Sequence, residues 1–270
     1  MTTVLITGAG GPLGVNVTRC LQESGNELRL IGTDANRWHL PLSLCDQTYM
    51  IPLARERDGY LAAMKEIIAK ESIDVLLPTH PVEVRAVAEL VESGELAAKV
   101  ALPRLEVIEI CDDKAATQQR LEAAGVVVPE TLVLDGPEAV DEAFSRWAGV
   151  DQPVWIRGSG APGLGIGGAA LPCRDPEVGK AWVEHHQGWG RMSASRYLAG
   201  ANLTWMALFS AGELVASGSR ERLEYVLPHV APSGVTGAPA VSRTIDRADV
   251  RAVGEAAVRA VDSKPHGVYF

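Results

Sequence analysis

Five short apolar runs alternate with helix-patterned stretches through the first hundred residues, and few folds accept that rhythm. Residues 4–7 form a strand that runs into "GAGGPLG", and "VNVTRCLQESG" reads as a helix closing on Gly25. Residues 28–32 give a second strand, with Asp34 at its end, and "QTYMIP" a third. Over residues 60–70 Leu61, Met64, Ile67 and Ile68 share one helical face. "IDVLLP" is a fourth strand, "PVEVRAVAELVESG" a helix and "KVALP" a fifth strand. Parallel neighbours need crossover connections, so strands separated by helices predict a parallel sheet covered on both faces. Residues 1–105 are therefore expected to form a doubly wound, Rossmann-like α/β domain.

The first turn carries Gly8, Gly10, Gly11 and Gly14, an approximation to G-x-G-x-x-G, with Asp34 ending the next strand. Such a turn can hold a pyrophosphate at a helix N-terminus and a ribose on the acid. It serves equally well as a tight βα turn that orders the sheet or binds a substrate anion. A short-chain dehydrogenase or epimerase would also need Tyr-x-x-x-Lys. The residues four after Tyr49, Tyr60, Tyr197 and Tyr225 are Leu53, Met64, Ala201 and His229, and Tyr269 has none. A nicotinamide-binding oxidoreductase stays open as a second reading. Asp34, Asn36, Arg37 and His39 stand at a strand end, where doubly wound sheets bind ligands.

The second region, residues 106–270, has a different pattern. "EVIEICDDKAATQQRLEAAG" is one helical stretch closing on Gly125, followed by "VVVPETLVL" and the helix "PEAVDEAFSRWAG". Asp175 is placed to cap a helix with Pro176 at its first position. "SASRYL", "ANLTWMALFS" and "ELVASGSRE" read as an antiparallel meander, "DRADVRAVGEAAVRAV" as a helix, and "HGVYF" as the start of a strand. The region is α+β, with the linker between the two domains near residues 103–111.

Within it, "PVWIRGSGAPGLGIGG" places six glycines in the eleven positions that follow Arg157. Each glycine weakens regular structure by about 0.5–1 kcal/mol relative to alanine, so the cluster is a linker or a loop that wraps a ligand. It lacks G-x-x-x-x-G-K-[ST] and is no P-loop. The buried-strand character of Val154, Trp155 and Ile156 favours the wrapping loop. Backbone N–H groups there can surround phosphate oxygens, and Arg157 adds a fork of donors.

The composition of this 270-residue chain, 47% hydrophobic and 22% charged, is globular. A formal charge of −9 argues against nucleic acid and anionic membranes as partners. Cys20, Cys45, Cys111 and Cys173 form no CxxC pair and read as buried thiols of a reducing compartment, which points to the cytoplasm. The N-terminus has no basic n-region, and no apolar run reaches the ~18 residues of a membrane helix.

Four segments, in order, carry a family resemblance: "CDDKAATQQRLEAAGVVVPET", "PVWIRGSGAPGLGIGGA", "SASRYLAGANLTWMAL" and "GELVASGSRERLEY". Together they resemble the ATP-grasp superfamily, in particular its carbamoyl-phosphate-synthase-like branch. "VLITGAGGPLGVNVTRCL" and "LIGTDANRWHLPLSLCDQTYMIP" look like the pre-ATP-grasp domain that precedes it. The resemblance implies ATP clamped between two α+β subdomains. It also implies an ATP-dependent ligase that converts a carboxylate to an acyl-phosphate, which an amine or thiol then attacks. By position, Lys114 would contact the α-phosphate, and Arg157 stands where the family usually has lysine. The loop with Gly158, Gly160, Gly163 and Gly165 would close over the phosphates. Backbone groups of Arg196 and Leu198, with Ser195 nearby, would bind adenine, and Asn202 stands where an acid often holds ribose. Arg220, Arg222 and Arg243 fall where the family places cations for the transferring phosphate or the substrate carboxylate.

Taken singly, these residues read otherwise. Lys114 is a solvated helix-start lysine, three arginines near a loop are a surface, His185 and His186 are solvated at a helix end, and Trp155, Trp182 and Trp205 are core. The resemblance implies Mg²⁺ held by an acid just past "HGVYF" and a Glu-x-Asn on the next strand. The sequence stops at Phe270, so the metal ligands are expected beyond it and the chain is expected to be truncated, with low turnover. Uncovered apolar sheet edges would then invite homodimerisation or aggregation. The third reading is a non-catalytic nucleotide-binding or interaction module.

Overall fold

A computed structural model describes residues 1–149, 152–158, 169–237 and 239–270. Two compact units divide them: residues 1–108 with 266–268, and residues 109–265 with 269–270.

The first unit is built from β1 (Thr2–Ile6), α1 (Pro12–Glu23), β2 (Leu28–Asp34), β3 (Gln47–Met50), α2 (Arg57–Glu71), β4 (Val75–Leu77), α3 (Pro81–Glu92) and β5 (Lys99–Val100). The sheet order is β3-β2-β1-β4-β5, and every neighbouring pair is parallel. Alternation along β1 explains the two covered faces. Leu5 packs with Tyr60, Met64, Ile67 and Val87 of α2 and α3, whereas Val4 and Ile6 pack with Val17 and Leu21 of α1. The parallel doubly wound expectation holds.

The second unit begins in α4 (Leu105–Asp112), whose first residues lie in the first unit, and continues through α5 (Lys114–Ala123), β6 (Thr131–Val133), α6 (Pro137–Trp147), β7 (Val154–Gly158), β8 (Leu171–Cys173), α7 (Pro176–His185), β9 (Met192–Arg196), β10 (Asn202–Ser210), β11 (Glu213–Tyr225), β12 (Pro239–Ile245) and α8 (Ala248–Val261) to the end of β13 (Gly267–Tyr269), whose first two residues lie in the first unit. One sheet has the order β6-β9-β7-β8, antiparallel throughout. The other has the order β12-β11-β10-β13, with β10 and β11 forming a hairpin that β12 extends. Val154, Ile156, Met192 and Ala194 turn inward to α6 and α7, meeting Val140, Phe144 and Val183. Trp205 is buried against α8, where a Cβ on Gly254 would lie 2.5 Å from the indole.

Several expectations change. The stretch read as one helix is two, because Asp113 has extended backbone and accepts hydrogen bonds from the N–H groups of Ala115 (2.9 Å) and Ala116 (3.3 Å). That cap starts a new helix at Lys114. The meander is only partly formed: β9 leaves its sequence neighbour β10 to pair with β6 and β7. Cys20 and Cys111 are exposed and only Cys173 is buried. His186 is half-buried edge-on to Trp182, which lowers its pKa because burial disfavours the charged imidazolium. Asp175 caps α7 ahead of Pro176, as its sequence predicts.

Removing the α5 cap has a measurable cost. Asp113→Ala is expected to destabilise the second unit by about 1 kcal/mol, whereas Asp113→Asn, which keeps an acceptor, should cost only a few tenths. Thermal melts of the two variants would distinguish capping from charge. Equal losses in both would assign the effect to the carboxylate.

Candidate functional site

Helix α5 has no buried residue, and it lies over one face of the β6-β9-β7 sheet. Register explains that face. Arg157 is opposite Ser193, which is opposite Val133; one row along, Trp155, Ser195 and Thr131 line up likewise. Strand alternation sends these side chains away from the α6–α7 core. Between α5 and the sheet lies a cleft of about 180 Å³, lined by Lys114, Gln118 and Glu122 of the helix and by Thr131, Arg157 and Ser193 of the strands, among others.

Two cations meet there. Lys114 Nζ donates to the Gly158 carbonyl at 3.2 Å, anchoring the start of α5 to the end of β7. Burial, and then the neighbouring Arg157 charge, lower the Lys114 pKa to about 8, with Asp113 pulling weakly the other way. Burial also lowers the Arg157 pKa. Among the described residues no carboxylate forms a salt bridge with either cation. Two half-buried, like-charged and unneutralised groups are a costly arrangement that an anion relieves. At the far end the lining is polar and includes one carboxylate, Glu122, which accepts from Gln118 at 2.8 Å.

Lys114, Arg157 and Gly158 thus come together. Gly160, Gly163 and Gly165 lie outside the described residues. Ser195 is buried on the cleft-facing side of the sheet. The Arg196 N–H is already used, donating to the Glu130 carbonyl at 3.2 Å, and Leu198 is exposed in the turn after β9. In the other sheet Asn202 is opposite Arg222, and Thr204 is opposite Arg220, so Arg220 and Arg222 share one face. Arg222 Nε donates to Thr204 Oγ1 at 2.9 Å and its Nη1 to the Gly237 carbonyl at 3.3 Å. Arg220 Nε is shut off from solvent, with no hydrogen-bond partner among the described residues. Arg243 is not with them. It pairs in register with Glu221, forms a salt bridge to it, and therefore stands on the opposite face.

Gln118, Glu122, Thr131 and Ser193 were not singled out in the sequence. Helical spacing of four and eight from Lys114 gives the first two, and alternation with Val133 and Ser195 gives the others. Trp155 was read as core and instead lies half-exposed on the cleft-facing side.

The glycine turn of the first unit is filled from within. Asp34 is buried and accepts from the N–H groups of Gly10 (3.1 Å) and Asn36 (2.8 Å), with His39 Nδ1 3.6 Å away. The His39 carbonyl oxygen occupies the space beside Gly10, 1.9 Å from where a Cβ would stand. The acid and the glycine that a dinucleotide would need are both engaged in folding the turn. This disfavours the nicotinamide reading.

A parallel-sheet unit followed by a unit with two further four-stranded sheets has the ATP-grasp fold. In particular, 99% of the chain aligns with a biotin carboxylase–βγ-ATP complex from Campylobacter jejuni at a TM-score of 0.70 and 15% identity, spanning 61% of that chain. It is also similar to an N5-carboxyaminoimidazole ribonucleotide synthetase from Thermus thermophilus, with a TM-score of 0.67 and 18% identity, over 98% of this chain and 65% of the other. By sequence it is 27% identical over 162 residues to the biotin carboxylase of Pseudomonas aeruginosa, covering 57% of this chain and 34% of that protein. No protein-family profile matches the sequence. The chain thus spans under two thirds of the length of these relatives.

Among the described residues, no three His, Cys, Asp or Glu side chains cluster to hold a metal ion. No helix among them is long and apolar enough to cross a membrane.

Proposed function

We propose that the cleft under α5 binds the phosphates of ATP, and that the chain is the nucleotide-binding part of an ATP-dependent carboxylate ligase. One observation carries the reading: Lys114 and Arg157 converge, half-buried and with no salt bridge to a carboxylate among the described residues, on one polar cleft. A triphosphate supplies the missing charge. Lys114 would hold it as a point charge and Arg157 as a planar fork. The similar proteins, a carboxylase in complex with βγ-ATP and a synthetase, support the class of reaction. In it, the γ-phosphoryl passes to a carboxylate oxygen, ADP leaves, and an amine or thiol displaces phosphate from the acyl carbon. Orientation and charge neutralisation would supply most of the rate. Arg220 and Arg222, on one face of the second sheet, are the proposed cations for the carboxylate or the transferring phosphate. The proposed substrates are small molecules. The carbamoyl-phosphate-synthase-like branch remains our proposal for the nearer kinship.

Lys114 provides the test. Its pKa in the folded protein, about 8, is below the ordinary 10.5. The folded state therefore carries fewer protons than the unfolded state between those values, so stability rises with pH across that window. Anion binding runs the other way, because it needs the charged amine. Calorimetric titration is expected to show ATP affinity falling about tenfold from about pH 7 to about pH 9.5. Lys114→Met should bind weakly and lose that dependence. ATP affinity that is independent of pH and unchanged in Lys114→Met would place the nucleotide elsewhere.

A further inference from the structure

The chain has six lysines, and their surroundings differ. Lys65 forms a salt bridge to Glu95, Lys180 bridges Asp141 and Glu177, and Lys70 lies over the Tyr49 ring. Each of these arrangements favours the ammonium. Lys99 and Lys264 are exposed. Lys114 is half-buried beside a like charge, which favours the neutral amine. Burial is the larger cause and Arg157 of β7 the second, with Asp113 acting the other way. β6 and β9 present Thr131, Val133 and Ser193 to the cleft, none of them titratable, and Glu122, about two turns along α5, accepts from Gln118. At about pH 7.5 roughly a quarter of an amine with a pKa of about 8 is neutral, against about one part in a thousand of an ordinary lysine. The neutral amine is the form that attacks carbonyl carbon. Lys114 Nζ donates one N–H to the Gly158 carbonyl at 3.2 Å, which fixes the nitrogen and leaves its lone pair free. In the same cleft Arg157 offers a planar fork suited to a phosphate.

We infer that the cleft is also an acylation site: a small acyl phosphate docks its phosphate on Arg157 and transfers its acyl group to Lys114. The amine nitrogen forms a bond to the acyl carbon, and the bond from that carbon to the phosphate oxygen breaks. Inorganic phosphate leaves with the electron pair and takes up the proton that the nitrogen sheds. A neutral amide then stands where a cation stood. The modification goes beyond the nucleotide reading, and only its consequence rests on that reading. An acyl phosphate is the intermediate proposed for the ligase, so its return to the cleft would close the site to ATP.

Acetyl phosphate is the probe, with peptide mass spectrometry of the intact 270-residue chain's digest as the readout. At about pH 7.5 Lys114 is expected to be acetylated about tenfold faster than any other lysine, and faster than the exposed amine of Met1. The rate should rise with pH and reach half its limit at about pH 8. Inorganic tripolyphosphate should slow it about tenfold by occupying the Arg157 fork. The uncharged N-hydroxysuccinimidyl acetate reports the amine alone. The ratio of the acetyl phosphate rate to the ester rate at Lys114 should therefore fall about tenfold in Arg157→Met, whatever that change does to the amount of neutral amine. The acetylated chain should bind ATP about tenfold more weakly or worse. Acetylation of Lys114 no faster than of exposed Lys99 would overturn the inference. So would an unchanged rate ratio in Arg157→Met or, without any variant, a rate indifferent to tripolyphosphate. If Lys114 is acetylated as expected but the unmodified chain binds no ATP, the acylation site stands and the nucleotide reading falls. If ATP binds and Lys114 stays unmodified, this inference falls alone.

Discussion

Arg157→Met is expected to weaken ATP binding about a hundredfold while leaving the free protein no less stable. A fork of charge-assisted hydrogen bonds is worth about 1.5–3 kcal/mol per bond, and a hundredfold is about 2.7 kcal/mol, so a single lost bond near the top of that range suffices. The second half of the expectation is the more diagnostic. In the free protein Arg157 is a half-buried cation beside another cation, and methionine fills a similar volume without charge. Its removal takes away the smaller of the two causes that depress the Lys114 pKa, which should rise above about 8 but stay below 10.5 because burial persists. The loss of residual ATP binding should then begin at a higher pH than in the parent. Arg157→Lys keeps the charge but not the fork, and should bind about tenfold more weakly than the parent. Thermal melts read beside calorimetry decide the case. Affinity and melting temperature falling together would make Arg157 a structural residue. An unchanged affinity would remove it from the site.

The first unit was readable because its central strands β1 and β2 are apolar runs buried on both faces, and its helices change the period between strands. Asp175–Pro176 was readable because capping is local chemistry. Pairing is not local. "SASRYL" and "ANLTWMALFS" are separated by a short turn, yet they join different sheets, since β9 finds its partners 64 positions away for Thr131 with Ser195 and 36 away for Arg157 with Ser193. β12 gave no pattern because most of its residues are exposed, so neither face demands apolar side chains.

The site follows the same division. Lys114 and Arg157 could be found from the order of their surrounding motifs. Gln118 and Glu122 needed only the helix repeat, but that repeat becomes meaningful once Asp113 is known to start a fresh helix at Lys114. Trp155 was hidden by its own neighbours, since "PVWI" reads as continuous core although alternate positions face opposite ways. The family resemblance groups Arg243 with Arg220 and Arg222 as cations for the phosphate or the carboxylate. Only the register, which puts it opposite Glu221, reveals the face it occupies.

The turn of the first unit yields the largest expected loss of stability. Gly10→Ala should destabilise that unit by about 3–5 kcal/mol, beyond the usual range for a single methyl, because what it strikes cannot swing aside. The added Cβ would lie 1.9 Å from the His39 carbonyl oxygen and 2.4 Å from its carbonyl carbon. These are backbone atoms of a segment held in turn by Asp34, which is buried and bonded to the Gly10 and Asn36 N–H groups. Moving the segment leaves a buried carboxylate short of donors, and that penalty adds to the steric one. Gly25→Ala is the control. Gly25 has φ +73° with nothing within 4 Å of an added Cβ, so it should cost only the left-handed backbone penalty of about 1–2 kcal/mol. Urea denaturation of both variants measures the difference. ATP affinity in Gly10→Ala, measured below its transition, should match the parent, because the proposed phosphate contacts all come from residues 109–265. A Gly10→Ala variant that melts like the parent would mean the His39 segment yields freely, and the first turn would regain the room a dinucleotide requires. A folded variant that loses ATP would bring the first glycine loop back as a phosphate site.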